Sequence, residues 1–178
     1  LGDAEGALED LDAAMAGAES AFERAMMTMS RALLLMGEGR LEQGYADYEV
    51  RLSPDMPEAM RPVLPMPRWN PAAQPLEGLK ILALGEQGIA DEMVFGTVLP
   101  DLVEAVGPHG KVYVAVEKRM VGLFQRALPQ AVVGAHRTVR HEGRLTRLAP
   151  FVEEAVEAGE AIDAWAPFAS LLAPLRPT

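Results

Sequence analysis

The stretch Leu79-Lys80-Ile81-Leu82-Ala83-Leu84-Gly85-Glu86-Gln87-Gly88-Ile89-Ala90-Asp91-Glu92 constrains the fold more than any other part of the chain. An apolar run short enough for a buried strand stops at Gly85, a second glycine follows at Gly88, and helical periodicity opens at Asp91. This order predicts a strand, a tight turn and a helix start. Glycines in such a turn let the backbone approach a ligand closely. The N–H groups at the head of the helix favour an anion or the developing charge of a nucleophile. Gly85, Glu86, Gln87 and Gly88 are therefore candidate substrate-binding residues lining a site, and Asp91 opens the helix beside them.

Beyond this stretch the pattern alternates. Lys80–Leu84 reads as a first strand, Asp91–Val106 as a helix, Lys111–Val116 as a second strand, Glu117–Ala127 as a helix and Ala131–Gly134 as a third short strand. Phe151–Ala158 reads as helical, and Ile162–Trp165 as a further strand followed by a short helix from Pro167. Alternating helices and short, buried, β-branched runs predict an α/β class with a parallel sheet covered by helices on both faces. Ligands of such sheets bind beyond the carboxyl ends of the strands, which is where Gly85–Asp91 falls. Between the third strand and Phe151, the segment from His136 to Arg147 is basic and polar. Arg137, Arg140, Arg144 and Arg147 can touch a phosphate or form a solvated loop or helix face that balances an acidic protein. His109, His136 and His141 lack the spacing of a metal site and read as surface residues, so no metal ligand is assigned.

The region before Leu52 is different. From Asp3 to about Leu52 small and apolar residues recur at three- and four-residue steps, and Phe22, Met26, Met29, Leu33 and Met36 predict one stripe of a single helix. Gly37 and Gly39 break it, and the helical pattern resumes at Leu41. Residues 53–78 change character again. Pro54, Pro57, Pro62, Pro65, Pro67, Pro71 and Pro75 forbid a continuous helix or a central strand. They predict a connector, pinned to the flanking domains by Leu64, Met66 and Trp69. The domains expected are thus 1–52, helical; 53–78, proline-rich connector; and 79–178, α/β.

Composition removes several function classes. A formal charge of −10 opposes nucleic acid or an anionic membrane as partner, and no basic stripe offsets it. There is no cysteine, which excludes disulfide and thiolate chemistry. No run approaches the roughly 20 apolar residues of a spanning helix, and the N-terminus has no basic segment followed by an apolar one. A cytoplasmic location is the default. The chain begins at Leu1, within a helical pattern, which suggests a fragment of a longer protein.

Two resemblances follow from ordered motifs. The segment from Arg31 to Glu49 resembles a tetratricopeptide repeat: Ala4, Ala7, Leu11 and Met15 match the small–large spacing of Leu41, Gly44, Tyr48 and Leu52. The offset is about three residues longer than the roughly 34 of that repeat, and an ordinary helical hairpin accounts for the same pattern. The set Gly44-Tyr45-Ala46-Asp47-Tyr48-Glu49 with Arg51, Pro67-Arg68-Trp69, Pro75-Leu76 with Gly78, Glu86-Gln87-Gly88-Ile89-Ala90-Asp91-Glu92 and Ala166-Pro167 with Ser170-Leu171 resembles bacterial tetratricopeptide proteins carrying a GT-B glycosyltransferase-like domain. These are related to the protein O-GlcNAc transferases and ADP-heptose transferases.

The resemblance implies tetratricopeptide-like helices followed by a Rossmann-like parallel α/β half-domain that receives the acceptor. No cofactor is implied; a nucleotide sugar enters as donor substrate only where a second half is present. Asp91 is then the candidate catalytic base, by likeness to the heptose transferases, while capping and the helix dipole alone also favour an aspartate there. Ala90 stands where the family motif has glycine, and an alanine methyl would obstruct a positive backbone angle or a close substrate. The chain stops at Thr178, where the second half would begin. Two functions remain open: the acceptor half of a protein or glycan glycosyltransferase, not catalytic alone, or a non-enzymatic scaffold with a degenerate transferase-like domain. In either, the helices would bind a protein partner or acceptor, or pair with another copy through Ala7, Leu11 and Met15.

Overall fold

The computed structural model describes residues 2–56, 59–141 and 143–177. It divides into two compact units, a helical one before Met60 and an α/β one spanning Met60–Arg176.

In the helical unit, α1 (Ala4–Ala16), α2 (Ala21–Gly37) and α3 (Leu41–Tyr48) are followed by a 3-10 turn at Glu49–Leu52. Each start has a local cause. The Asp3 carboxylate accepts from the Gly6 N–H at 2.9 Å, and Ser20 with Glu23 forms a reciprocal capping box. Gly39, at φ 76°, takes the left-handed turn between α2 and α3. The predicted stripe of α2 is not its buried face: Phe22, Met26 and Leu33 are exposed, and Ala25, Ala32 and Leu35 are buried instead. The reason is the closeness of the crossing. A Cβ on Gly44 of α3 would lie 2.6 Å from Met36 Cγ, 3.0 Å from Met36 N and 3.2 Å from the Ala32 carbonyl oxygen. Backbones that close leave no room for a side chain at Gly44, and of the predicted stripe Met36 meets this crossing while Phe22, Met26 and Leu33 face away from it. Arg31 ties all three helices, with Nη1 2.7 Å from Asp12 Oδ1 and Nε 2.7 Å from Asp47 Oδ2. Hydrogen bonds to Asp47 first and Asp12 second hold this guanidinium in its charged form.

The α/β unit contains two sheets. Strands β2 (Lys80–Leu84), β3 (Lys111–Val116), β4 (Val132–Ala135) and β7 (Ala164–Pro167) form a parallel sheet in the order β4-β3-β2-β7. Ile81 pairs with Val112 and with Ala164, which places β2 at the centre. The connections are α4 (Ile89–Phe95) and α5 (Leu99–Val106) after β2, α6 (Val121–Ala127) after β3, and α7 (Pro150–Glu157) before β7. Because parallel crossovers are right-handed, reversing direction from β4 to β7 sends α7 to the opposite face from α5 and α6. One face accordingly buries Leu82, Leu84, Tyr113 and Ala115 against Met66, Ala149, Val152 and Ile162. Ile81, Ala83, Val112 and Val114 alternate with these on the strands and are equally buried.

Three expectations need correcting. The helix begins at Ile89 rather than Asp91, with Gly88 as its cap, and it does not run unbroken to Val106. A 3-10 turn at Gly96–Val98 separates α4 from α5, because Pro100 has no N–H to continue the ladder. The segment from His136 to Arg147 is neither loop nor helix: β5 (Arg137–His141) and β6 (Arg144–Leu148) pair antiparallel, and β1 (Arg61–Pro62) joins β6 in parallel. Residues 60–78 belong to the α/β unit. Val63 N–H donates to the Arg147 carbonyl at 2.9 Å, and Pro67 and Trp69 bracket Trp165 through two backbone bonds of 3.0 and 2.7 Å. That segment shields the outer edge of β7, a place where prolines cost no ladder bond. Among the described residues no helix is long and apolar enough to cross a membrane.

Candidate functional site

The sheet order reverses between β2 and β7, so the crevice beyond their carboxyl ends is the topological position where open α/β sheets take ligands. Two loops meet there: Gly85–Gly88 after β2 and Phe168–Ser170 after β7.

Gly85 continues the sheet by one residue, its N–H donating to the Ala115 carbonyl at 2.7 Å. A Cβ at this position would meet Glu92 Oε1 at 2.7 Å and the Ala115 oxygen at 3.0 Å, so only glycine fits. Glu86 is buried, and its Oε1 accepts from the Ala169 N–H at 3.0 Å; its carboxylate joins the two loops to each other. Gln87 is exposed and carries the left-handed φ of 58°, alone among the described non-glycine residues. Such a backbone costs about 1–2 kcal/mol and persists only where its surroundings impose it. Gly88 is extended, at φ −107° and ψ 176°, and so does not exploit glycine's freedom.

Asp91 is half-buried in the first turn of α4, where its Oδ2 accepts from the Gly88 N–H at 3.0 Å. The head of this helix is thus closed by its own carboxylate. Ala90 lies inside α4 with its methyl exposed, and the positive backbone angle falls at Gln87 instead.

Beneath the loop lies a polar cluster that sequence reasoning missed. Glu92 is 1% exposed. Its Oε2 accepts from the Glu117 N–H at 2.9 Å, and its Oε1 lies 2.6 Å from His136 Nε2. His136, expected at the surface, is buried over its side chain because the backbone at the end of β4 bonds to Val116 and turns the ring inward. Its Nδ1 has no hydrogen-bond partner among the described residues. Arg147, expected on a solvated face, is also buried. It donates to the carbonyls of Gly85 at 2.5 Å and Gln87 at 3.4 Å, and to Thr138 Oγ1 at 3.1 Å. Burial pulls this guanidinium down from its ordinary value, while Glu92 and Glu86 oppose the loss of charge. Arg147 is therefore a clamp for the loop: it holds the backbone on either side of Glu86 and fixes the strained Gln87. The missed signal was the length of α4. Glu92 follows Asp91 directly, within the first turns of a helix that starts at Ile89, and is turned inward. His141 and His109 are exposed, and no group of three His, Asp or Glu side chains among the described residues is placed to hold a metal ion.

No family model and no solved structure matches the chain. It is 42% identical over all 178 residues to Protein FlbA of Caulobacter vibrioides. The match covers 29% of that protein's length.

The similarity thus runs through both units and includes the Gly85–Gly88 loop. Arg68 Nη2 lies 3.2 Å from Ser170 Oγ, which brings a guanidinium and a hydroxyl to the β7 side of the crevice. Exposed Gln87 and Gly88 and half-buried Asp91 stand on the β2 side. A concavity of about 420 Å³ in the helical unit, lined by Glu5, Glu9, Asp12, Arg31 and Asp47 among others, and an apolar groove of about 290 Å³ between α4 and α6 do not open onto this loop.

Proposed function

We propose that the chain is the acceptor-side, Rossmann-like half of a GT-B-type protein or glycan glycosyltransferase, acting in the cytoplasm. Tetratricopeptide-like helices bring a partner or acceptor protein to it. The observation that carries this reading is the Gly85–Gly88 loop: it lies at the reversal of a parallel sheet and is held rigid by Arg147 and Glu86. A substrate loop fixed in advance loses little ordering entropy on binding. The crossing of Ala32 and Gly44 supports the repeat-like reading of the helices, since a small pair at such a crossing is what stacked helical hairpins require. In this reading the nucleotide sugar is held by a second half, and Asp91 accepts the proton of the acceptor hydroxyl.

A non-enzymatic scaffold is favoured by a specific observation. The Asp91 carboxylate is engaged in its own helix cap, and the Glu86 carboxylate is engaged with Ala169. The two readings separate in one experiment: the full gene product and the 178-residue chain are each incubated with a panel of labelled nucleotide sugars and candidate acceptor protein. Transfer by the full product alone supports the acceptor half. Retained protein binding without transfer by either supports the scaffold.

A further inference from the structure

We infer that the outward face of the β1–β6–β5 sheet, with its open β5 edge, is a docking surface for an extended acidic polypeptide segment, which adds to the sheet as a further strand. All of its residues lie in the α/β unit, and the inference is independent of the catalytic reading above. The sheet ends at β5: in the order β1-β6-β5, no strand among the described residues pairs with its other side. In an antiparallel ladder alternate residues turn their N–H and C=O groups away from the partner, so β5 offers unpaired backbone groups along that edge. The register sets the face. Thr146 lies opposite Arg61 on one side and Val139 on the other, and Arg137, His141 and Arg144 alternate into the same surface. The other face is the inward one, since it carries buried Arg147, which reaches the Gly85 carbonyl.

Charge selects the occupant. No residue of the three strands is acidic, and Glu142 is the one acid of the sequence from His136 to Arg147. Arg61, Arg137, His141 and Arg144 are exposed, and none of them has an ion partner among the described residues. Arg140 differs, because it is engaged by the Gly143 carbonyl at 2.7 Å. On a chain of net −10 this face is reversed in sign from the rest. Pairing of two β5 edges would set arginines against arginines, and like charges directly opposite destabilise a strand pair. A polynucleotide would meet the acidic remainder of the chain. An extended acidic polypeptide meets both features at once, with main-chain groups for the β5 edge and carboxylates for the face. Val139, half-buried between exposed Arg137 and His141, sets the pattern of the incoming strand: acidic, apolar and acidic residues at alternate positions.

Fluorescence anisotropy of the 178-residue chain with a labelled peptide of about eight residues, in which glutamate alternates with valine and threonine, tests this. The expected result is saturable binding with a dissociation constant of roughly 10–100 µM, suited to a small interface, and slower hydrogen exchange at residues 137–141 of the unaltered chain. Arg137→Glu and Arg144→Glu should each weaken binding by at least about tenfold, and rising salt should weaken it too. Arg126→Glu, exposed on α6, should leave it unchanged. The same peptide methylated on its backbone nitrogens keeps its charge but cannot join a ladder, and it should bind at least about tenfold more weakly. No binding up to about 1 mM, equal binding of the methylated peptide, or an equal loss in Arg126→Glu would overturn the assignment. Displacement of the peptide by an equimolar single-stranded oligonucleotide would give the face to a polyphosphate, and a chain dimer that Arg137→Glu dissolves would give it to a second copy; either overturns it equally.

Discussion

The glycine at position 85 is imposed by the carboxylate of Glu92. With only 2.7 Å between an added Cβ and Glu92 Oε1, and 3.0 Å to the Ala115 carbonyl, Gly85→Ala must displace either a buried charge or a strand. A loss of roughly 2–4 kcal/mol in urea denaturation is expected, and a loss below about 1 kcal/mol would show that Glu92 can move aside. Gln87 behaves oppositely. Its left-handed backbone is held by Arg147, so Gln87→Gly removes strain and should raise stability by up to about 1 kcal/mol after glycine's greater unfolded freedom is deducted. Asp91→Asn keeps an oxygen that can accept from the Gly88 N–H, so the fold should lose less than about 1 kcal/mol. In the full gene product the same substitution should lower glycosyl transfer by about 10² or more if Asp91 is the base. Near-normal transfer by folded variant protein leaves Asp91 a cap.

At the scale of elements, two ties set the α/β unit and the helical unit. Lys111 at the start of β3 lies 2.5 Å from Glu160 beyond α7. Its hydrogen bond to Glu160 raises the ammonium, and the same bond lowers the Glu160 carboxyl below its ordinary value. The sign follows from each partner. A depressed carboxyl contributes above its unfolded value and fades as pH falls through its folded one; a raised ammonium contributes below its unfolded value and fades as pH rises through its folded one. Glu160→Gln should therefore lower the urea midpoint between about pH 5 and pH 10, with the difference closing towards about pH 3 and above about pH 11. A difference that persists at both extremes would mean the contact is not ionic. In the helical unit, Gly44→Ala forces α3 away from Met36 and Ala32 and should cost about 1–3 kcal/mol.

The same elements show what a sequence can reveal. Lys80–Leu84 and Lys111–Val116 have the limits that their apolar runs predict, because runs this short, bounded by glycine and charged residues, fit strands buried on both faces better than helices. The β5–β6 hairpin was hidden by its arginines. The side chains of β5 stay largely in water, and those of β6 are polar or arginine apart from two leucines, so no apolar alternation marks the hairpin; the signal present was the glycine at 143, whose φ is 77°. The stripe of α2 failed in part for a related reason: periodicity locates an apolar face but not the partner, and the helix packs through Ala25, Ala32 and Leu35, with only Met36 of the stripe against Gly44. Of the candidate site, the position of the loop was legible from the strand–glycine–helix order. Its support was not, because Arg147 and His136 reach it from a distant hairpin and strand end, and no local spacing encodes that approach.

For the whole molecule, the decisive quantity is what lies across the crevice. The chain supplies one sheet reversal, with Gln87, Gly88, Asp91, Arg68 and Ser170 around it, and the relative it resembles is longer, with 29% of its length matched. Transfer of a glycosyl group between two bound substrates draws on holding both in register, an advantage that can reach about 7–11 kcal/mol when the geometry is complete. One wall of a cleft orients one substrate only. In the proposed function, the 178-residue chain should bind an acceptor but show no turnover with any nucleotide sugar, while the full gene product turns over. Isothermal titration with acceptor protein and a radiolabel transfer assay check the two halves of that statement separately. Arg147→Met gives the sharper test of the loop's role, since it removes the donors to the Gly85 and Gln87 carbonyls while keeping an apolar stem. The expected result is weakened acceptor binding together with faster hydrogen exchange at residues 85–88. Faster exchange with unchanged acceptor affinity would detach the loop from binding and leave the crevice without the role proposed for it.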